Sequence, residues 1–232
     1  MRGRTALVVA LAAALSAPLA GGPSSQVAWT LDTVKLVRGG DAKKGQALHG
    51  DCSGCHGETG DTETPDVPNL AGQERFYIFK QLQDYKSKSR ASSMMSESAA
   101  PLSDRDMADL AAFYAAQKPS RAAGSGRRRD PAITALVGLG DGTRLIPACD
   151  ACHGRRGEGN PGFYGMPGLG NQKEVDLSYQ LTTFRSGERG NDVYRVMRDI
   201  SKKLTDEEIA SLAAYYAGAE KKPAASATQE KK

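Results

Sequence analysis

The chain has 232 residues, of which 39% are hydrophobic and 25% charged, and its formal charge is +4 at pH 7. That length suits two small domains better than one core. So slight a basicity, with no aromatic-rich RNA motif beside it, argues against a nucleic-acid partner.

The chain opens on a targeting pattern. Met1-Arg-Gly-Arg4 is a basic start, Thr5 to Ala20 is an apolar run rich in Ala and Leu, and small residues come next. The run is shorter than the ~20 apolar residues of a membrane-spanning helix, so residues 1–20 are expected to be a cleaved export signal, with an uncleaved anchor as the alternative. Loss of Arg2 and Arg4 lowers the formal charge from +4 to +2. Gly21 to Leu36 carries no clear pattern, and Trp29 within it has no evident role.

Two segments read Cys-x-x-Cys-His: Cys52-Ser-Gly-Cys55-His56 and Cys149-Asp-Ala-Cys152-His153. Together they use all four cysteines and two of the three histidines. This spacing is the attachment signature of a c-type haem. The two thiols form thioethers to the vinyl groups, and the adjacent histidine supplies the proximal ligand to iron. A structural zinc site can use paired Cys-x-x-Cys units, but needs no histidine directly after each second cysteine. A thioredoxin-like pair needs a βαβ context, and none is visible. A disulfide framework gives no reason for the repeated histidine. Two covalently bound haem c groups are therefore expected. Their propionates, absent from the residue count, bring the holoprotein close to neutral. The third histidine, His49, reads as an exposed helix residue.

The segments downstream of the two motifs repeat one another. Pro68-Asn-Leu70-Ala-Gly-Gln73 answers Pro167-Gly-Leu169-Gly-Asn-Gln172, Gln81-Leu82 answers Gln180-Leu181, and Arg90 answers Arg189. Each half closes on a patterned helix. Ser103 and Thr205 are N-cap candidates with Asp106 and Glu208 three residues on, as in a capping box, and Leu102 and Leu204 precede them. Met107, Leu110 and Tyr114, like Ile209, Leu212 and Tyr216, recur at helical spacing and read as core. The expected architecture is all-α, with domains over 39–118 and 131–219. Between them lies a basic linker, 119–130, containing Arg127-Arg128-Arg129 and read as solvated. The stretch 220–232 is expected to be a disordered tail.

The second iron ligand separates a closed electron carrier from an open haem enzyme, and methionine closes the site. The capped leucine serves as a ruler: Met95 lies seven residues before Leu102, and Met197 seven before Leu204. Met94 is the runner-up in the first half. Met107 has no methionine partner at Ile209, and Met166 has none either. The prolines also have an expected use. A ligating histidine donates its other ring N–H to an acceptor, and a carbonyl of the proline segment is well placed to accept it.

On Cys52-x-x-Cys55-His56-Gly57, Pro68-x-Leu70-Ala-Gly-Gln73, Gln81-Leu82, Met95 and Leu102-Ser-Asp, with their second-half counterparts, the chain resembles the diheme cytochrome c4 family from Gly40 to Gly218. The resemblance implies two class I cytochrome c domains related by a pseudo-twofold axis, with the haems facing each other. It implies iron ligands His56 with Met95 and His153 with Met197. It also implies a periplasmic carrier, often membrane-associated, that takes electrons from a dehydrogenase or cytochrome complex and delivers them to a terminal oxidase. Export agrees with this, because c-type haems are joined after translocation. Two features depart from the family pattern. The basic linker is one. The other is spacing: two more residues lie between His153 and Pro167 than between His56 and Pro68, and three more between Arg189 and Met197 than between Arg90 and Met95. A cytochrome subunit of a sulfide or thiosulfate dehydrogenase is the second reading. A diheme peroxidase is the third, and it needs an open iron.

Overall fold

The computed structural model describes Ser25 and residues 27–120, 130–160 and 162–217. The expected signal, most of the basic linker and the expected tail lie outside these residues. Among the described residues the secondary structure is helical, and extended pairing is limited to a bridge between Asp141 and Ile146.

The first half holds α1 (Leu31–Arg38), α2 (Ala42–Leu48), α3 (Gly50–His56), α4 (Arg75–Lys86), α5 (Ser93–Ala99) and α6 (Asp104–Ala116). The second holds α7 (Pro131–Leu139), α8 (Cys149–His153), α9 (Glu174–Ser186), a 3₁₀ turn (Val193–Arg195), α10 (Val196–Ser201) and α11 (Asp206–Ala217). Short polar side chains start these helices by accepting the first free N–H groups. The Thr30 side chain caps α1, Asp41 caps α2, Ser92 caps α5 and Asp130 caps α7, where Pro131 comes next at a position that needs no donor. Both expected capping boxes form. Ser103 Oγ accepts from Asp106 N while Ser103 N donates to the Asp106 carboxylate, and Thr205 and Glu208 do the same in α11.

Each half buries its own apolar cluster. Val37, Phe76, Phe79, Met107 and Leu110 centre the first; Leu136, Val137, Leu177, Ile209 and Leu212 centre the second. The closing helix is the organiser in both, with α1, α2 and α4 packed on α6, and α7 and α9 on α11. Here the structure extends the sequence reading. The unpatterned stretch before residue 39 forms α1, which packs on α4 and α6 and is the counterpart of α7. Leu36-Val37 and Gly40-Asp41 recur 100 residues on as Leu136-Val137 and Gly140-Asp141. Trp29 belongs to the same region and sets its ring edge against Phe76, at 5.4 Å between centroids, and against Tyr164 of the second half, at 6.1 Å.

The two halves meet through reciprocal contacts between residues at matching positions of the repeat. The Gln73 side-chain amide donates to Gly168 O (2.9 Å) and accepts from Gly168 N (2.7 Å). The Gln172 amide treats Asn69, the repeat mate of Gly168, in the same way, at 2.6 and 3.0 Å. Deeper in the seam, Arg90 donates to Gln81 of its own half and Gln180 of the other, and Arg189 donates to Gln180 and to Gln81. Arg90 also lies over the Tyr85 ring and Arg189 over Phe184. A self-reciprocal interface of this kind is what a twofold operator produces. Superposed on it is one asymmetric plug. Lys80 Nζ is buried between Asp84 (2.5 Å) and Asn191 O (2.6 Å), and Asn191 Nδ2 donates to Asp84 (2.7 Å).

Candidate functional sites in the two halves

Each Cys-x-x-Cys-His segment is itself a short helix, α3 or α8, so both sulfurs and the imidazole are presented from one helical turn. A glycine in an extended, positive-φ conformation, Gly57 or Gly154, ends each helix at once. No side chain fits at Gly57, where a Cβ would lie 2.0 Å from Asp61 O. Four residues past each histidine stands a second positive-φ glycine. The Gly60 carbonyl accepts from Leu70 N and Ala71 N, and the Gly157 carbonyl from Leu169 N and Gly170 N. These bonds bring the proline segment back onto the motif, despite the two extra residues in the second loop.

The consequence is the same in both halves. His56 Nδ1 donates to Pro68 O at 2.9 Å, and His153 Nδ1 donates to Pro167 O at 2.9 Å. The expectation for the prolines holds. A carbonyl can only accept, so the proton is on Nδ1 and Nε2 keeps its lone pair. The rings are 7% and 8% exposed. Burial pushes both imidazoles below their ordinary pKa, which keeps them neutral and able to ligate. All four cysteines are free of disulfides, with Cys55 exposed and Cys52, Cys149 and Cys152 half-buried. Burial raises the Cys52 thiol, and pushes that of Cys149 up to about 11.

The two methionines picked by the leucine ruler lie on matching short helices. Met95 is on α5, which packs on α4, and Met197 is on α10, which packs on α9. Met95 is half-buried, whereas its neighbour Met94 is 64% exposed. Met197 is half-buried as well. The three extra residues ahead of it form the 3₁₀ turn, with Tyr194 and Arg195 both in the left-handed region. Met107 is a core residue, as expected. His49 differs from its expectation. It sits at the junction of α2 and α3 with its side chain only 13% exposed, its ring tilted against Phe113 at 4.7 Å between centroids. The Leu48-His49 step falls between two helices that pack on one another, which helical periodicity alone does not reveal.

The residues present fit a haem in each half. The thiols stand one helical turn apart, beside a histidine whose Nδ1 is committed to a carbonyl and whose Nε2 is left able to ligate. The seam between the halves sets the cations Lys80, Arg90 and Arg189 near the carboxylates of Asp84 and Asp176. Burial, then the adjacent Arg90 charge, push Arg189 below its ordinary pKa. A seam with surplus positive charge suits the acidic propionates of two haems. Sequence reasoning marked Gln73, Gln81, Arg90 and their mates only as signs of a repeat; the structure assigns them to the seam.

A helical pair of domains, each presenting Cys-x-x-Cys-His to a proline carbonyl, defines a diheme c-type cytochrome. Known proteins agree. The cytochrome c family model matches residues 42–116 and 140–218. Cytochrome c4 of Pseudomonas aeruginosa is 38% identical over 184 residues, spanning 77% of this chain and 89% of the relative. A protein of Stutzerimonas stutzeri named thiosulfate dehydrogenase electron acceptor is 35% identical over 169 residues, spanning 72% of this chain and 77% of the relative. The crystal structure of reduced recombinant cytochrome c4 from Pseudomonas stutzeri superposes with a TM-score of 0.70 at 37% identity, covering 77% of this chain and 98% of that one. The chain belongs to the cytochrome c family, in its diheme c4 branch; it carries two haem c groups and transfers electrons.

Proposed function

We propose that this protein is a periplasmic electron carrier in which His56 and Met95 hold one iron, His153 and Met197 hold the other, and the cysteine pairs 52/55 and 149/152 anchor the two macrocycles. The observation that carries this reading is the pair of identical Nδ1–H to proline carbonyl bonds, which leaves the Nε2 lone pair of each buried imidazole beside its cysteine pair. When bound, each haem supplies a one-electron Fe(III)/Fe(II) couple. The protein's part would be to hold the histidine tautomer, to supply the Met95 and Met197 thioethers as further ligands and to keep water from the site. Arg90 and Arg189 would neutralise propionates in the seam, so that both couples share one buried electrostatic environment.

With both irons closed by protein ligands, no position is left for a small substrate, and the protein passes electrons between partners: a dehydrogenase or cytochrome complex on one side, a terminal oxidase on the other. A second reading has a specific support, the relative named as an acceptor for thiosulfate dehydrogenase. There the donor is the dehydrogenase itself. No helix of the described residues is long and apolar enough to cross a membrane, so any membrane association of the described part would be peripheral.

Two tests address this reading. Met95→Ala and Met197→Ala should each abolish one haem's Met–Fe(III) charge-transfer band and lower its potential, while Met94→Ala leaves both bands. Loss of the band in Met94→Ala with Met95→Ala unaffected would reverse the assignment in the first half. Second, the reduced protein is offered an oxidised terminal oxidase or peroxide, and the oxidised protein is offered sulfide or thiosulfate, each separately. Rapid oxidation by the oxidase alone supports the carrier, steady-state peroxide turnover overturns it, and a tight complex with a dehydrogenase favours the second reading.

A further inference from the structure

Tyr114 and Tyr216 hold the same place in the repeat, on α6 and α11, and neither takes part in the ligation described above. Both rings are buried. Each is pinned against the glycine four residues past the ligating histidine. A Cβ at Gly60 would come within 2.8 Å of Tyr114 Cδ1, and one at Gly157 within 2.7 Å of Tyr216 Cδ1. The rings could do this as phenylalanines, and the residue before each, Phe113 and Tyr215, shows that both ring types occur on this helix. The hydroxyl therefore needs its own explanation. Tyr114 Oη is buried with no conventional hydrogen-bond partner. Its neighbour is sulfur: Cys52 packs against the cluster that contains Tyr114, and Cys149 against the cluster that contains Tyr216. The phenol and the thiol interact in each pair.

A free thiol can donate or accept. A thioether sulfur has no hydrogen and can only accept, weakly. Once Cys52 and Cys149 are joined to haem, the direction of each contact is fixed: phenol O–H to thioether sulfur. The positive end of the O–H dipole then lies beside an atom attached to the macrocycle. A donor at that point favours the more electron-rich, reduced state, the lever by which outer hydrogen bonds adjust haem and sulfur-ligated redox centres.

We propose that Tyr114 and Tyr216 each donate a hydrogen bond to the thioether sulfur of the first cysteine in their own half, Cys52 and Cys149, and so raise the potential of that half's haem independently of the other. They are positioning residues that act through the sulfur. The proposal rests on the haem attachment described above.

The test uses the purified diheme protein with Tyr114→Phe, Tyr216→Phe and the double variant, which keep the ring and remove only the oxygen. Mass spectrometry first counts covalent haems, and a redox titration then resolves the two couples. Each single variant should lower one potential and leave the other in place. The expected size is up to tenfold in the reduction equilibrium, about 59 mV for a one-electron couple. The double variant should lower both. In a Cys52→Ala background, where the first haem hangs from Cys55 alone, Tyr114→Phe should no longer move the potential. Two bound haems with unmoved potentials, or with both potentials falling together in each single variant, overturn the proposal and leave the ligation reading intact. A changed unfolding midpoint with unchanged potentials makes the tyrosines merely structural and overturns it too. Fewer than two covalent haems in the parent protein would sink the attachment reading and this inference with it. If Tyr114→Phe does not yield holoprotein, Tyr216→Phe decides the matter in the second half.

Discussion

The two halves solve one problem with partly different parts. Where a residue addresses the motif histidine or the opposite half, the repeat is kept to the atom: Pro68 and Pro167, Gln73 and Gln172, Gln81 and Gln180, Arg90 and Arg189 make the same bonds at similar lengths. Where a residue only shapes a loop, the halves diverge. The first half leads into its motif through α2, whose Gly45 lies so close to α6 that a Cβ would stand 2.1 Å from Asp109 O. Among the described residues the second half has no such helix. It uses a tight turn from Asp141 to Ile146, held by Arg144, which donates to Asp141 and forks onto both oxygens of Glu208. Geometry is therefore exacting at the histidine and the seam and permissive elsewhere, because a histidine N–H or a buried amide has few alternative partners while a surface loop has many.

The most severe way to break the correspondence is at Asp84, which pairs with buried Lys80 and accepts from Asn191, whereas the side chain of its repeat mate Thr183 bonds only to carbonyls of its own helix. Removing one partner of a buried pair leaves an uncompensated charge. Asp84→Ala should cost about 3–5 kcal/mol, and Thr183→Ala only about 1 kcal/mol, measured by denaturant unfolding of the holoprotein. Equal losses would show that the seam plug is not asymmetric in energy.

A smaller effect concerns how the long helices stop. After α4 the chain turns at Lys88, with φ 61°, and after α9 at Gly187, with φ 85°. The left-handed conformation costs a side-chain-bearing residue about 1–2 kcal/mol, part of which glycine loses again in unfolded-state entropy. Lys88→Gly should stabilise the first half by about 0.5–1 kcal/mol and Gly187→Lys destabilise the second by a similar amount, read as opposite shifts in unfolding midpoint. Shifts of the same sign would mean that the two stops are not equivalent.

The smallest effect is the acid response of the Arg144 clamp, which has no counterpart among the described residues of the first half. Hydrogen bonding from Thr143 and then Arg144 holds the Asp141 carboxyl below its ordinary range, and Arg144 does the same to Glu208. A folded-state pKa below the unfolded one contributes stability that is complete above the ordinary carboxylate pKa, about 4. That contribution is lost as pH falls through the depressed values. Both carboxylates are half-buried and in reach of solvent, with side chains 27% and 20% exposed, so screening keeps the gain modest. Arg144→Ala should lower the melting temperature slightly at pH 7, with the difference from the parent protein closing below about pH 4; a difference that persists in acid would assign it to packing instead.

The sequence by itself determined the chemistry and the duplication. Two Cys-x-x-Cys-His segments, a proline segment after each and a matched pair of capped helices are local patterns, and local patterns survive in one dimension. It also determined both capping boxes, since a cap needs only residues three apart. The tertiary structure decided what depends on contacts between distant parts of the chain. Helix α1 is amphipathic, with Val34 and Val37 buried on one face, but at eight residues the stripe is too short to stand out in the sequence; α4 and α6 give that face its partner, and its kinship with α7 lies in a short Leu-Val and Gly-Asp match that passes unnoticed without the packing. Trp29 acquires a role only because Phe76 and Tyr164 come to it from opposite halves. His49 reads as exposed until Phe113 covers it. The seam residues show that they repeat, but not why. A glutamine that reads a backbone 95 residues away, as Gln73 reads Gly168, has no signature in sequence. Its partner is set by how two cores dock, and that docking is a property of surfaces that exist only once each half has folded.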